Sequence, residues 1–219
     1  MLDRRTFLGA LLVLPSVALA KGESRITLPP PASETGCDLL TALKWRRSTR
    51  AFAADALSPQ TLSTLLWAAD GINRPGSAGR TAPAAKGWYE IDIYAALPAG
   101  LYRYDVPTHS LERVLERDLR ALTGTQDYVP DAPLDLVYVA DYSRMSAHAS
   151  EEQRVLLSAA DTAVMVENVY LYCAAAGLAT VVRNSIDRSR LAAAMGLHRD
   201  QRVVLAQSVG QATAPALLR

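Results

Sequence analysis

The sequence predicts an α+β fold in which a mixed β-sheet is flanked by helices. Three observations carry that expectation. Segments with strand-like alternation are interleaved irregularly with helical ones, not in the strict order of a parallel βαβ sheet. Two strands on either side of Pro98-Ala99-Gly100 form an evident hairpin. The segment from about Glu151 to Ala176 is a long helix, apolar nearly all round, which has to be covered on most sides.

The first 20 residues stand apart. Asp3-Arg4-Arg5-Thr6-Phe7-Leu8 leads into the apolar run Leu8 to Ala20, which ends in Ala18-Leu19-Ala20. A charged start, a short apolar stretch and a small-x-small end predict a signal peptide over residues 1–20. The run is too short for a stable membrane span, which needs about 20 apolar residues. The paired arginines before Phe-Leu suit a twin-arginine signal, the route taken by proteins exported already folded, and so a periplasmic or otherwise exported location. They suit the positive start of an ordinary secretory signal as well. Residues 21–35, with Pro29-Pro30-Pro31, are expected to form an extended arm, and residues 36–219 the folded domain.

Within the domain, a first helix is expected over about Cys37 to Trp45. A second follows Ser58 as N-cap and Pro59 at the first helical position, with Leu62, Leu65, Leu66 and Ala69 on one buried face and Gly71 as the stop. Residues 72–87, rich in Gly, Pro, Ala and Ser, are expected to be a long loop. Tyr89 to Ala95 alternates as a strand with one wet face, and Gly100 to Val106 is its hairpin partner. Further strands are expected over Leu134 to Ala140, Leu178 to Arg183 and Arg202 to Val209, with a short helix capped by Asp187 and closed by Gly196. The apolar surface of the 151–176 helix makes a second subunit its natural cover, so a homodimer is expected. Asp161, Glu167 and Asn168 argue against its being a transmembrane helix.

Composition excludes several classes. Half of the 219 residues are apolar and 21% are charged, which rules against a disordered chain. A net charge of +1, with basic residues scattered along the chain, gives no footprint for nucleic acid. His109, His148 and His198 lie far apart and no CxxC motif occurs, so no metal site is expected. Cys37 and Cys173 could pair in an oxidising compartment, although Cys173 falls in an apolar helix where a free thiol is a small buried hydrophobe.

The residues that could carry chemistry begin at Arg46-Arg47-Ser48-Thr49-Arg50. Three guanidinium forks and a hydroxyl at a helix end suit phosphate oxygens, but a basic helix end that complements the helix dipole has the same composition. Taken alone, the plain basic helix end is the commoner case, and the order of features shifts the reading toward phosphate. The basic pentad is followed by Phe52, the capped helix 58–70, the segment Arg80 to Ala85 and a strand. Glu167-Asn168 then falls in the long helix, Gly177-Leu178 enters a strand and Asp187 opens the last helix. This succession resembles the nitroreductase-like flavoproteins over about residues 37–212, and within them the branch of SagB- and thiazoline-oxidase-type dehydrogenases.

The resemblance implies an α+β sandwich that binds FMN at the interface of an intertwined homodimer and passes electrons through flavin N5 to or from a small organic substrate. It implies Arg46 and Ser48 as phosphate ligands, Arg47 at the phosphate or ribityl chain, and Arg50 near the pyrimidine edge. Pro83, Ala84 and Ala85 match a Pro-Ser-x segment whose backbone lies against the partner subunit's flavin. Asn184 and Ser185 match a turn whose backbone N–H approaches N5. Arg183 is open to phosphate or substrate contact, or to a plain surface role. The family often shows Pro-Ser-x-x-Asn-x-Gln, and the same register here holds Pro83, Ala84, Gly87 and Tyr89. Trp88 and Tyr89 suit either a pocket over the ring or the core. The competing expectations are a flavin-free dimeric scaffold that retains the fold and, further off, a cofactor-free binder of anionic small molecules.

Overall fold

The computed structural model describes residues 24–213. The expected signal peptide and residues 214–219 lie outside the described residues. The order of elements is β1 (Arg25–Thr27), α1 (Leu39–Trp45), α2 (Pro59–Asp70), β2 (Ile72–Arg74), β3 (Gly79–Arg80), β4 (Ile91–Leu97), β5 (Gly100–Asp105), β6 (Ser110–Leu115), β7 (Leu134–Asp141), α3 (Glu151–Ala176), β8 (Leu178–Arg183), α4 (Arg188–Met195) and β9 (Gln201–Gln211). Seven strands form one sheet in the order β1-β6-β5-β4-β7-β9-β8, and β2 pairs with β3 alone.

The fold is the expected α+β fold, but the sheet is antiparallel at every pairing where a mixed one was expected. The reason lies in the last strand. Crossing over through α3 leaves β7 and β8 running the same way, as a helical crossover does. β9 then inserts between them, antiparallel to both.

Alternation along the central strands divides the core in two. Leu134, Leu136, Tyr138 and Ala140 of β7 and Ile91, Ile93 and Ala95 of β4 join Leu65, Leu66 and Ala69 of α2 and Met165, Val169 and Cys173 of α3. The intervening Val137, Val139, Tyr94 and Ala96 pack on Leu191 and Met195 of α4. The central strands are therefore covered on both faces, and β4 does not have the single wet face expected of it.

Both ends of α2 follow the sequence: Ser58 accepts from the Thr61 N–H at 3.0 Å, and Gly71 ends the helix. Gly71 is there for space, not for a left-handed turn. Its φ is −74°, and a Cβ would come within 2.2 Å of the Trp67 ring. α3 starts with the reciprocal cap of Ser150 and Gln153 and stops at Gly177, whose φ is +69°. Its buried face carries Asp161, Thr162, Met165, Val169 and Tyr170, whereas Val155, Leu156 and Val164 stay exposed, as do Leu39, Leu40 and Leu43 of α1. The arm is anchored: β1 pairs with β6, the Ser63 hydroxyl donates to the Pro29 carbonyl at 2.5 Å, and His109 Nε2 lies 2.8 Å from Ser63 Oγ. Cys37 and Cys173 are free thiols, and burial pushes that of Cys173 well up. Among the described residues no helix is long and apolar enough to cross a membrane, and no cluster suited to a metal ion occurs.

Candidate functional site

The basic pentad owes its position to the free edge of the sheet. β8 is an end strand, and its outward-facing backbone groups need partners. α1 ends at Trp45, and Arg46 turns the chain into an extended run that supplies them. The Thr49 N–H donates to the Thr180 carbonyl at 2.9 Å, the Ala53 N–H donates to Gln211 at 2.9 Å, and Phe52 bridges to Ala212. The outward N–H of Val182 donates instead to the hydroxyl of Tyr170, from α3, at 2.9 Å.

This pairing sets the side chains. Arg46 lies with its guanidinium 5.2 Å from the centre of the Tyr170 ring, a cation–π geometry. Arg47 is half-buried, its Nε donating to the Trp45 carbonyl at 3.0 Å. Ser48 and Arg50 are exposed, and Ser48 Oγ lies 2.8 Å from the Tyr170 hydroxyl. Two residues beyond Val182 the alternation brings Asn184 to the same edge. Its backbone N–H has no acceptor among the described residues. Its side-chain oxygen is tied back by Arg188 at 2.5 Å, and the Ser185 carbonyl accepts from the Thr125 N–H at 3.1 Å. Arg46, Arg47, Ser48, Arg50, Asn184 and Ser185 thus border one edge.

Arg183 does not join them. Its side chain is 1% exposed, and it donates to Asp135 at 2.7 Å and to Thr123 at 2.6 and 3.0 Å. Strand alternation puts its side chain on the opposite face of the sheet from those of Val182 and Asn184, and there it is buried. It is neither a surface residue nor placed to meet a phosphate. Gly124 makes room for it, since a Cβ there would lie 2.0 Å from its Nη1.

The 83–89 segment lies elsewhere. Asp161 Oδ2 accepts from the Ala85 N–H at 2.7 Å, and Asp161 precedes Tyr170 by nine residues, about 14 Å along α3. Within one chain the two halves of the expected site are therefore apart. The segment is strained and strapped. Lys86, Gly87 and Tyr89 have φ of +58°, +67° and +49°, the region that costs non-glycine residues. Arg144 donates to the Tyr89 carbonyl at 2.8 Å and pairs with Asp92; Arg80 lies 4.4 Å over the Tyr89 ring and pairs with Asp70 at 2.5 Å. Pro83 and Gly87 are exposed, Ala84 and Ala85 half-buried, and nothing lies within 4 Å of a Cβ built on Gly87. Trp88 packs against the main core.

Burial dominates the acids beneath this segment. It raises Asp70 to about 7 against the pull of Arg80, and it also raises Glu90 and Asp161. Both Glu90 carboxyl oxygens are buried with no hydrogen-bond partner among the described residues. Sequence reasoning missed Tyr170 and Asp161 as anchors. The available signal was the spacing of Ser158, Asp161, Thr162 and Met165, which places three polar residues on a face that also carries core. An opening of about 490 Å3 lies between the arm and α1–α3, bordered by Trp67, Asn168 and Tyr172, and none of the expected site residues lines it.

An antiparallel α+β sandwich thus carries a cationic, hydroxyl-bearing segment along its edge strand β8, and comparison with known proteins gives the family. Residues 43–211 match the profile of the nitroreductase family, and the chain belongs to that family of oxidoreductases. A crystal structure from Ralstonia eutropha, provisionally described as a nitroreductase, shares 48% identity at a TM-score of 0.85, with 92% of this chain and 96% of that one covered. A protein of Methanocaldococcus jannaschii, provisionally named a nitroreductase, is 27% identical over 62% of this chain and 73% of its own. Two structures are alike in fold alone. The NADPH:FMN oxidoreductase of Vibrio harveyi, complexed with NAD+, has 18% identity and a TM-score of 0.61, covering 81% and 70% of the two chains. A chain of the Escherichia coli microcin synthetase complex has 22% and 0.67, covering 96% and 85%.

Proposed function

We propose that this protein is an exported, homodimeric FMN-dependent oxidoreductase acting on a small organic substrate. The observation that carries the reading is the edge of β8, where guanidinium groups and the Ser48 hydroxyl are fixed beside an Asn184 N–H that has no acceptor among the described residues. These groups fit FMN: Arg46, Arg47 and Ser48 would hold its phosphate, Arg50 would face the pyrimidine edge, and Asn184 and Ser185 would offer backbone polarity to the ring. Bound FMN would supply two-electron chemistry at N5. The protein's part is to orient the ring, and Arg50 would favour negative charge on it.

Pro83, Ala84, Ala85 and Gly87, some 14 Å away along α3, would serve the second subunit's flavin through their backbone, and the open space at Gly87 leaves room for it. The substrate class follows the SagB- and thiazoline-oxidase-type resemblance, a dehydrogenation whose electrons do not come from a cytoplasmic nicotinamide. Export rests on Arg4, Arg5 and the run to Ala20. Replacing both arginines by lysine should leave the protein in the cytoplasmic fraction if the twin-arginine route is used.

The test is the visible spectrum of folded protein with and without added FMN and dithionite. A flavin spectrum that bleaches on reduction is expected, and the double variant Arg46→Ala/Ser48→Ala should lose it. Full flavin retention in that variant would sink the site. A wild-type protein that takes up no flavin would favour the second reading, a dimeric scaffold, for which Ala84, Gly87 and Tyr89 at the family's Ser, Asn and Gln positions are the favouring observation.

A further inference from the structure

The Tyr170 hydroxyl makes two contacts, with the Val182 N–H at 2.9 Å and with Ser48 Oγ at 2.8 Å. Counting protons fixes the direction of the second. A backbone N–H can only donate, so the phenol oxygen accepts from Val182, and the single phenol proton needs an acceptor of its own. Tyr170 is 4% exposed, and Ser48 Oγ is the acceptor it has among the described residues. The reverse arrangement would leave a buried donor unspent. Ser48 therefore accepts from Tyr170, and its own O–H, on an exposed residue, has no acceptor among the described residues. The chain of donation runs from the Val182 N–H to the Tyr170 O–H to the Ser48 O–H and then out of the protein. The same ring carries the Arg46 guanidinium on its face.

We propose that Tyr170 is a positioning residue for an anion site: it turns the Ser48 hydroxyl into an outward donor and seats Arg46 beside it, so that the edge of β8 selects ligands ending in a phosphate monoester. The Ser48 proton and the Arg46 fork then meet two oxygens of one phosphate, an arrangement in which charge strengthens the hydrogen bond. A serine whose proton was spent inward could offer only lone pairs, which repel the anion. The proposal rests on the flavin reading above and adds to it a residue 122 positions away in sequence.

The experiment compares FMN with riboflavin, which lacks only the phosphate, by quenching of flavin fluorescence. The wild-type protein is expected to bind FMN at least tenfold more tightly. Tyr170→Phe keeps the ring under Arg46 and removes the hydroxyl. It should weaken FMN about fivefold to tenfold, the effect of one hydrogen bond to a charged group, and leave riboflavin unchanged. Ser48→Ala should lose the same preference, and the double variant should be no worse than Ser48→Ala alone, because both act through one proton. Equal weakening of both flavins by Tyr170→Phe would mean a packing role and overturn the proposal, as would an unchanged preference. Should Tyr170→Phe fail to fold, Ser48→Ala decides, since a full FMN preference without that hydroxyl leaves the relay nothing to act on. A wild-type protein that binds neither flavin defeats the flavin reading itself. One that binds both equally keeps that reading and defeats this one.

Discussion

A guanidinium with 1% of its side chain exposed has given up nearly all its water, and Arg183 recovers the loss through Asp135 and two contacts to Thr123. Asp135 accepts on the same oxygen from Ser208 at 2.5 Å. Removing one member of such a pair leaves a bare buried charge, which costs about 3–5 kcal/mol, whereas replacing both by apolar groups is often neutral. Arg183→Met should therefore lower unfolding stability in urea by about that amount, and Arg183→Met/Asp135→Leu should recover most of it. A surface arginine would show neither effect. Arg46, Arg47, Ser48 and Arg50 were legible as a candidate anion site because their chemistry is concentrated in five consecutive residues. Arg183 was misread because its burial depends on Asp135 and Gly124, which only the tertiary fold brings to it. Tyr170 was invisible for the same reason.

At the scale of elements, local signals served well where one segment carried its own evidence. The caps at Ser58, Asp187, Gly177 and Gly196 bound their helices as expected, and the β4–β5 hairpin turns at Pro98-Ala99. The strands that escaped notice are short or charged. Arg25–Thr27 has three residues and takes its strand form by pairing with β6, and Glu112 and Arg113 disguise β6 itself. β2 and β3 lie in the expected loop and pair only as two- and three-residue strands. The apolar outer surface of α3 was legible, and the structure leaves it uncovered: Leu156 is 67% exposed and Leu40 of α1 68%. Each leucine buried is worth about 1.5–3 kcal/mol, so a second subunit laid on α1 and α3 would gain from several at once. The wild-type protein should sediment as a dimer, and Leu40→Glu/Leu156→Glu should sediment as a monomer without losing its circular dichroism. A dimer that survives both charges would place the interface elsewhere.

Stability of the whole molecule should depend on pH in the opposite sense from a protein held by surface carboxylates. Asp70, Glu90 and Asp161 come from α2, the lead into β4, and α3, and converge under the strapped 81–90 segment, with Asp92, Arg80 and Arg144 as the other charges facing them. Burial raises all three. A carboxyl whose folded value lies above its unfolded one binds its proton more tightly in the native state. Its contribution is complete below the unfolded value, near 4 for Asp70, and is lost as pH rises through the folded value of about 7. Acidification from pH 8 toward 6 should thus stabilise the fold. His109 sets the lower limit, because burial lowers its value and its neutral form, held between Ser63 and Tyr104, is lost at lower pH. Thermal unfolding followed by fluorescence should show Tm rising by a few degrees from pH 8 to about 6. Asp70→Asn, which cannot ionise, should flatten that rise, and His109→Gln should extend it to lower pH. A Tm that falls steadily from pH 8 to 6 would mean that the Arg80 pairing outweighs burial at Asp70, and the acids under the loop would then be ionised counter-charges.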